Sequence, residues 1–314
     1  MAPLPLRVRL LGAVLRRFSV VRLTDEQVVA RQSQGLGHNP VLDRLFGGLA
    51  GGVDVTNTST QTPDGPVGLR VYRPTGAGRL PLVVLFHGGG WVGGDLDGYD
   101  WLASQMALGA QVVVVSVDYR LAPTHRWPGP VDDCYAAMLD AVARSEEWNA
   151  DASRLAVVGD SAGGNLAAVV ALKARDEGGP RIAFQGLTYP STDMLSDAPS
   201  FTENAHAPIL DRAEATAYKK HYLPNEADWA HPYASPARAA DHSGLPAALV
   251  QVAEHDPLRG VGLRYAQILR DAGVPVRATT YVGEPHGFMS LPGICHSAPQ
   301  AMAELTSELR THLA

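Results

Sequence analysis

The chain is poor in the residues that would mark several function classes. It has two cysteines, Cys134 and Cys295, in 314 residues. They form no CxxC pair, which argues against a disulfide framework and a thiolate metal site and suits a reducing, cytoplasmic setting. Net charge is −6 and no aromatic–basic stripe interrupts the sequence, so nothing favours nucleic acid as a partner. No apolar run approaches the roughly 20 residues that a bilayer-spanning helix requires, so no stable membrane insertion is expected. Acidic residues are missing before Asp25, whereas Arg7, Arg9, Arg16, Arg17 and Arg22 all precede it. The apolar run at 10–15 in that segment is too short for an export-signal core, and no small-residue cleavage site follows closely. The segment reads as an amphipathic helix packed as part of a cap, with a role at a lipid surface as the open alternative.

What is present is enough apolar residue, 46% of the chain, to bury a full core. Thr24 and Gln27 fit a capping box that opens a second helix through about Gln32. From Val53 onward the texture changes: VDVTNTST and GLRVYRP read as strands joined by a turn at 63–66. PLVVLF (81–86), QVVVVSV (111–117) and RLAVVG (154–159) are continuous apolar runs of strand length, expected where a strand is covered on both faces. RIAFQGLTY (181–189), PAALVQVAE (246–254) and PVRATTYVG (275–283) complete the set. Helical segments separate them, Cys134 lies on the buried side of one, and a last helix carries Met302, Leu305, Leu309 and Leu313 on one stripe. This alternation predicts an α/β fold, a mostly parallel doubly wound sheet with helices on both faces. Residues 1–50 and about 190–240 fall outside the alternation and are expected to cover the carboxyl edge of the sheet, 1–50 as an N-terminal cap segment and 190–240 as a second one within the catalytic domain, 51–314.

In such a sheet ligands bind at the carboxyl ends of the strands, and the unusual motifs all fall there. GDSAG (159–163) places Ser161 on a glycine-flanked bend between a strand and a helix, the geometry of a nucleophile elbow. A plain glycine-rich turn is the bland alternative. HGGGW (87–91) follows PLVVLF directly. Its bare backbone amides can converge on one point, as an oxyanion requires. It lacks the Lys-Ser/Thr of a phosphate-binding loop. His87 is expected to brace this loop, and Trp91 and Asp160 to border the substrate pocket. Serine needs a base, and the base an orienting acid, in the chain order Ser, Asp or Glu, His. Asp256 in EHDPLR (254–259) and His286 in EPHGF (284–288) end two successive strands in that order. Asp256 before Pro257 also reads as an N-cap with proline at the first helical position, a role compatible with catalysis. Asp193 is the alternative acid. The remaining histidines lack metal-ligand spacing, so no metal is expected.

These residues resemble a known family. HGGGW, DYRLAP (118–123), GDSAGGN (159–165), EHDPLR and HGF (286–288) are similar in kind and order to the hormone-sensitive-lipase-like esterases, microbial family IV of the α/β-hydrolase superfamily. The resemblance runs from about residue 64 to the C-terminus. It implies a serine carboxylester hydrolase with an acyl-enzyme intermediate, no cofactor, ester and water as substrates, and a homodimer. It makes Ser161 the nucleophile, His286 the general base and Asp256 its orienter. The oxyanion donors would be the amides of Gly89, Gly90 and Ala162, with Gly88 shaping the loop and residues 1–50 and 190–240 forming a cap. Two stretches depart from the family pattern: Gly260-Val261-Gly262 replaces an acidic continuation, and Thr124-His125-Arg126-Trp127 replaces a Glu-His-Pro-Phe type. A short cap with Trp91 beside the loop suggests short acyl chains. The motifs do not distinguish esters from amides or lactones, and a ligand-binding, non-catalytic reading is disfavoured because no triad residue is missing.

Overall fold

The structure, a computed structural model, describes residues 2–32 and 40–314, with the backbone alone at 40–42. Three helices come first: α1 (Leu6–Leu15), α2 (Asp25–Gln32) and α3 (Pro40–Phe46). The capping box opens α2 as expected, with the Thr24 amide donating to Gln27 Oε1 at 3.0 Å and the Gln27 amide to Thr24 Oγ1 at 3.4 Å. The strands are β1 (Val53–Thr62), β2 (Gly65–Pro74), β3 (Leu80–Phe86), β4 (Val113–Asp118), β5 (Ala150–Asp160), β6 (Ile182–Thr188), β7 (Ala247–His255) and β8 (Val276–Pro285). They form one sheet in the order β1-β2-β4-β3-β5-β6-β7-β8, antiparallel from β1 to β4 and parallel beyond.

The crossover helices are α4 (Asp100–Ala110), α5 (Gly129–Ala143), α6 (Ala162–Asp176) and α9 (Arg259–Asp271), and α10 (Ala298–His312) follows the last strand. Two short helices, α7 (Ser200–Glu203) and α8 (Arg212–Tyr222), lie between β6 and β7. The continuous apolar run of β3 is explained by its two covered faces. Leu82, Val84 and Phe86 belong to a buried cluster with residues of α5 and α6, while Val83 and Leu85 belong to one with residues of α4 and α10. Among the described residues no helix is long and apolar enough to cross a membrane.

The two departures from the family pattern have structural uses. A side chain at Gly260 would press on Ala198 and Ser200, and one at Gly262 on Val252 and Pro190, so these glycines seat α9 tightly. Arg126 pairs with Asp25 of α2, and Trp127 Nε1 donates to the Tyr233 carbonyl at 3.1 Å. That stretch therefore joins the N-terminal helices to the segment after α8. One expectation needs correcting. α9 begins at Arg259, so Asp256 is not its N-cap; Asp256 Oδ1 instead accepts the Leu258 amide at 2.7 Å and closes a turn ahead of the helix.

Candidate active site

Ser161 sits between β5 and α6 with φ 55° and ψ −116°, a conformation an L-residue adopts only at a cost of about 1–3 kcal/mol. The surroundings hold it there. Its amide donates to the Thr188 carbonyl at 2.8 Å, and its carbonyl accepts the Asn165 amide at 3.0 Å and the Ser191 amide at 3.3 Å. Two glycines allow the bend: a Cβ at Gly163 would lie 2.0 Å from the Phe86 carbonyl oxygen, and one at Gly159 would lie 2.2 Å from that of Gly163. The glycines at 159 and 163 are thus required by close approach of backbone to backbone.

The β7–β8 register brings the next two residues together. His255 pairs with Pro285, so the residues that follow, Asp256 and His286, leave the sheet side by side. His286 Nδ1 lies 2.8 Å from Asp256 Oδ2, and His286 Nε2 lies 2.8 Å from Ser161 Oγ. Asp256 is fully buried, and Asn204 Nδ2 donates to its carbonyl at 3.2 Å. The alternative acid, Asp193, is engaged elsewhere, paired with Arg238 at 2.6 Å.

The glycine loop divides its amides between support and the cavity. The Gly88 amide is spent inward, on Asp160 Oδ1 at 2.9 Å and Tyr99 Oη at 2.7 Å. The amides of Gly89, Gly90 and Ala162 have no acceptor among the described residues, and all three residues line the cavity that holds Ser161 and His286. His87 lies beneath the loop, stacked on Tyr119 at 4.2 Å, its Nδ1–H donating to the Gly88 carbonyl at 2.8 Å. Burial pushes its pKa down, so the ring is neutral and its place is structural. Tyr119 of the DYRLAP stretch donates to the His87 carbonyl at 2.8 Å.

Asp160 borders the cavity, but its carboxylate is turned into the loop, where burial raises its pKa and the Tyr99 hydroxyl, donating at 2.8 Å, opposes that rise. Trp91 also lines the cavity, buried and stacked face to face on Tyr222 at 4.4 Å. Tyr99, Tyr189 and Asn204 were not singled out from sequence. Tyr189 packs its ring on that of His286 at 4.7 Å, and no local motif marks any of the three. Tyr99→Phe should leave the Gly88–Asp160 bond but remove the hydroxyl that braces both. Losing one such bond, about 1 kcal/mol, corresponds to a roughly fivefold lower kcat with KM unchanged. An unchanged kcat would assign Tyr99 to packing alone.

The cavity has a volume of about 710 Å³. Its floor is the sheet edge; its walls come from α1 and the stretch after it, from the end of α3, and from the β6–α8 connection together with α8. The arrangement offers a hydroxyl already hydrogen-bonded to a base, an acid holding that base, and unpaired amides beside them. It can do acyl transfer.

Comparison with known proteins places the chain among related enzymes. A family model described as the alpha/beta hydrolase fold matches residues 83–290. The chain is 40% identical over 304 residues to Esterase LipI of Mycobacterium tuberculosis, covering 95% of this chain and 91% of that one. It is 36% identical over 270 residues to an ethyl acetate hydrolase of Pseudomonas putida, covering 82% and 83% respectively. The crystal structure of a thermostable esterase from Pseudomonas putida ECU1011 superposes with a TM-score of 0.87 at 31% identity, over 100% of this chain and 99% of that one.

Proposed function

We propose that this chain, which belongs to the hormone-sensitive-lipase-like branch of the α/β-hydrolase family and is a serine carboxylester hydrolase, forms its acyl-enzyme on Ser161 and takes esters of short carboxylic acids. The observation that carries the assignment is the unbroken line Ser161 Oγ–His286–Asp256, both links 2.8 Å. Ser161 attacks the ester carbonyl as His286 Nε2 takes its proton. Asp256 keeps the other ring nitrogen protonated and stabilises the imidazolium that forms. The amides of Gly89, Gly90 and Ala162, with the α6 N-terminus behind them, receive the tetrahedral oxyanion. The alcohol leaves with the proton from His286, and water repeats the sequence on the acyl-enzyme. The helices α1 to α3 and residues 190–240 act as the cap that narrows access.

Two observations support the short acyl preference. Trp91, fixed against Tyr222, walls the cavity beside the oxyanion glycines. A relative spanning most of the chain is an ethyl acetate hydrolase. Hydrolysis of p-nitrophenyl esters from acetate to palmitate tests the reading: kcat/KM should peak between acetate and hexanoate and fall steeply beyond. A maximum at palmitate would overturn it.

A further inference from the structure

The helix α1 is packed by one face and apolar on two. Val8 is fully buried, and Gly12 meets Pro208 so closely that a Cβ would lie 2.5 Å from its Cβ. On the outer face, Leu6, Leu10 and Val14, followed by Phe18, are 67%, 60%, 50% and 61% exposed. Their spacing of four places them in one stripe along the helix and its following turn. Scattered exposed apolar side chains need no explanation; four in register do.

The stripe's charge setting is equally one-sided. Arg9 and Arg16, seven apart and so on one flank, border a cavity with His206, and Arg17 and Arg22 are also exposed. Among the described residues Arg9, Arg17 and Arg22 have no acidic partner. The segment before Asp25 carries five arginines and no acid in a chain of net charge −6, so the rest of the molecule is acidic.

We propose that α1 and the turn to Phe18 dock the enzyme on an anionic lipid surface, lying in the interface with the apolar stripe down and the arginines among the headgroups. An in-plane helix binds through apolar burial plus attraction of its basic residues to anionic lipid. A second copy of the chain fits less well, because a twofold contact would set this basic flank against itself. The end of the stripe also reaches the site: Phe18 lines the cavity that holds Ser161, beside Leu11 and Leu15 of α1. An ester dissolved in the lipid would meet the cavity at its apolar lip. This last step rests on the Ser161 reading; docking itself does not.

The test sediments the full-length protein with vesicles of phosphatidylcholine alone or of equimolar phosphatidylcholine and phosphatidylglycerol, in low and in molar salt. Binding should appear on the anionic vesicles at low salt and fall in molar salt. Arg9→Gln with Arg17→Gln should weaken it by about thirtyfold, the loss of two basic residues near the surface. Leu6→Ser with Leu10→Ser should remove it as well. Both variants should keep wild-type hydrolysis of soluble p-nitrophenyl acetate, since neither pair lines the cavity. Inactive protein that still binds vesicles would leave docking standing and count against the catalytic reading instead. Absence of binding to anionic vesicles overturns the proposal. So does equal, salt-independent binding to neutral vesicles, or a dimer in light scattering that the leucine pair abolishes.

Discussion

Ser161→Ala should lower kcat for p-nitrophenyl butyrate by about 10⁶, because removing the nucleophile alone costs a serine hydrolase as much as removing its whole triad. The acyl-enzyme cannot form, and the remaining groups can only assist direct attack by water. Binding should survive: the cavity and the amides of Gly89, Gly90 and Ala162 are untouched, so KM for the residual reaction should stay near that of the wild type. The fold should survive too, since alanine at φ 55° is strained no more than serine, and the backbone bonds that pin residue 161 remain. Only the 2.8 Å bond to His286 is lost. Thermal unfolding beside the kinetics checks this. A variant that melts like the wild type and still turns over within a hundredfold would remove Ser161 from the chemistry. A phosphonate inhibitor gives a second readout, adding its mass to the wild type and not to the variant.

The parts of this molecule that could be read from sequence are those whose cause is local. Continuous apolar runs such as PLVVLF mark strands covered on two faces, and β3 lies within a residue of its expected start. The glycines at 159 and 163 announce a tight bend because nothing larger fits there. The chain order of Ser161, Asp256 and His286 is meaningful because each follows its own strand in a parallel sheet. Non-local contacts left no such mark. Tyr99 reaches Gly88 and Asp160 from the start of α4, and Asn204 holds the Asp256 carbonyl from just past α7. Tyrosine and asparagine at those positions have no local pattern that sets them apart. The N-cap expectation at Asp256 failed for a related reason. Asp-Pro is a sound local signal for a helix start, but at this sheet edge the carboxylate faces His286 and the helix starts at Arg259.

That same carboxylate carries the second large effect. Asp256 is fully buried and does two acceptor jobs at once: Oδ2 faces His286 Nδ1 at 2.8 Å, and Oδ1 takes the Leu258 amide at 2.7 Å. In Asp256→Asn one oxygen must serve where two did. If it stays with Leu258, the new NH₂ points at His286 Nδ1, which must then accept, so the ring proton moves to Nε2. The nitrogen facing Ser161 would then be a donor and could not take the serine proton. If the amide flips, its NH₂ meets the Leu258 N–H, a buried contact of two donors costing about 1–3 kcal/mol. The first arrangement avoids that cost, so the wrong tautomer should prevail. The expected result is a kcat lower by about 10⁴, with KM nearly unchanged and the fold retained. A loss below tenfold would mean that His286 keeps its working tautomer without Asp256. The orienting role would then have to lie elsewhere, and Asp193 could take it only by giving up Arg238. Arg238→Ala in the Asp256→Asn background decides that case: a rise in activity would mark Asp193 as the substitute, and no change would leave the tautomer to Asp256 alone.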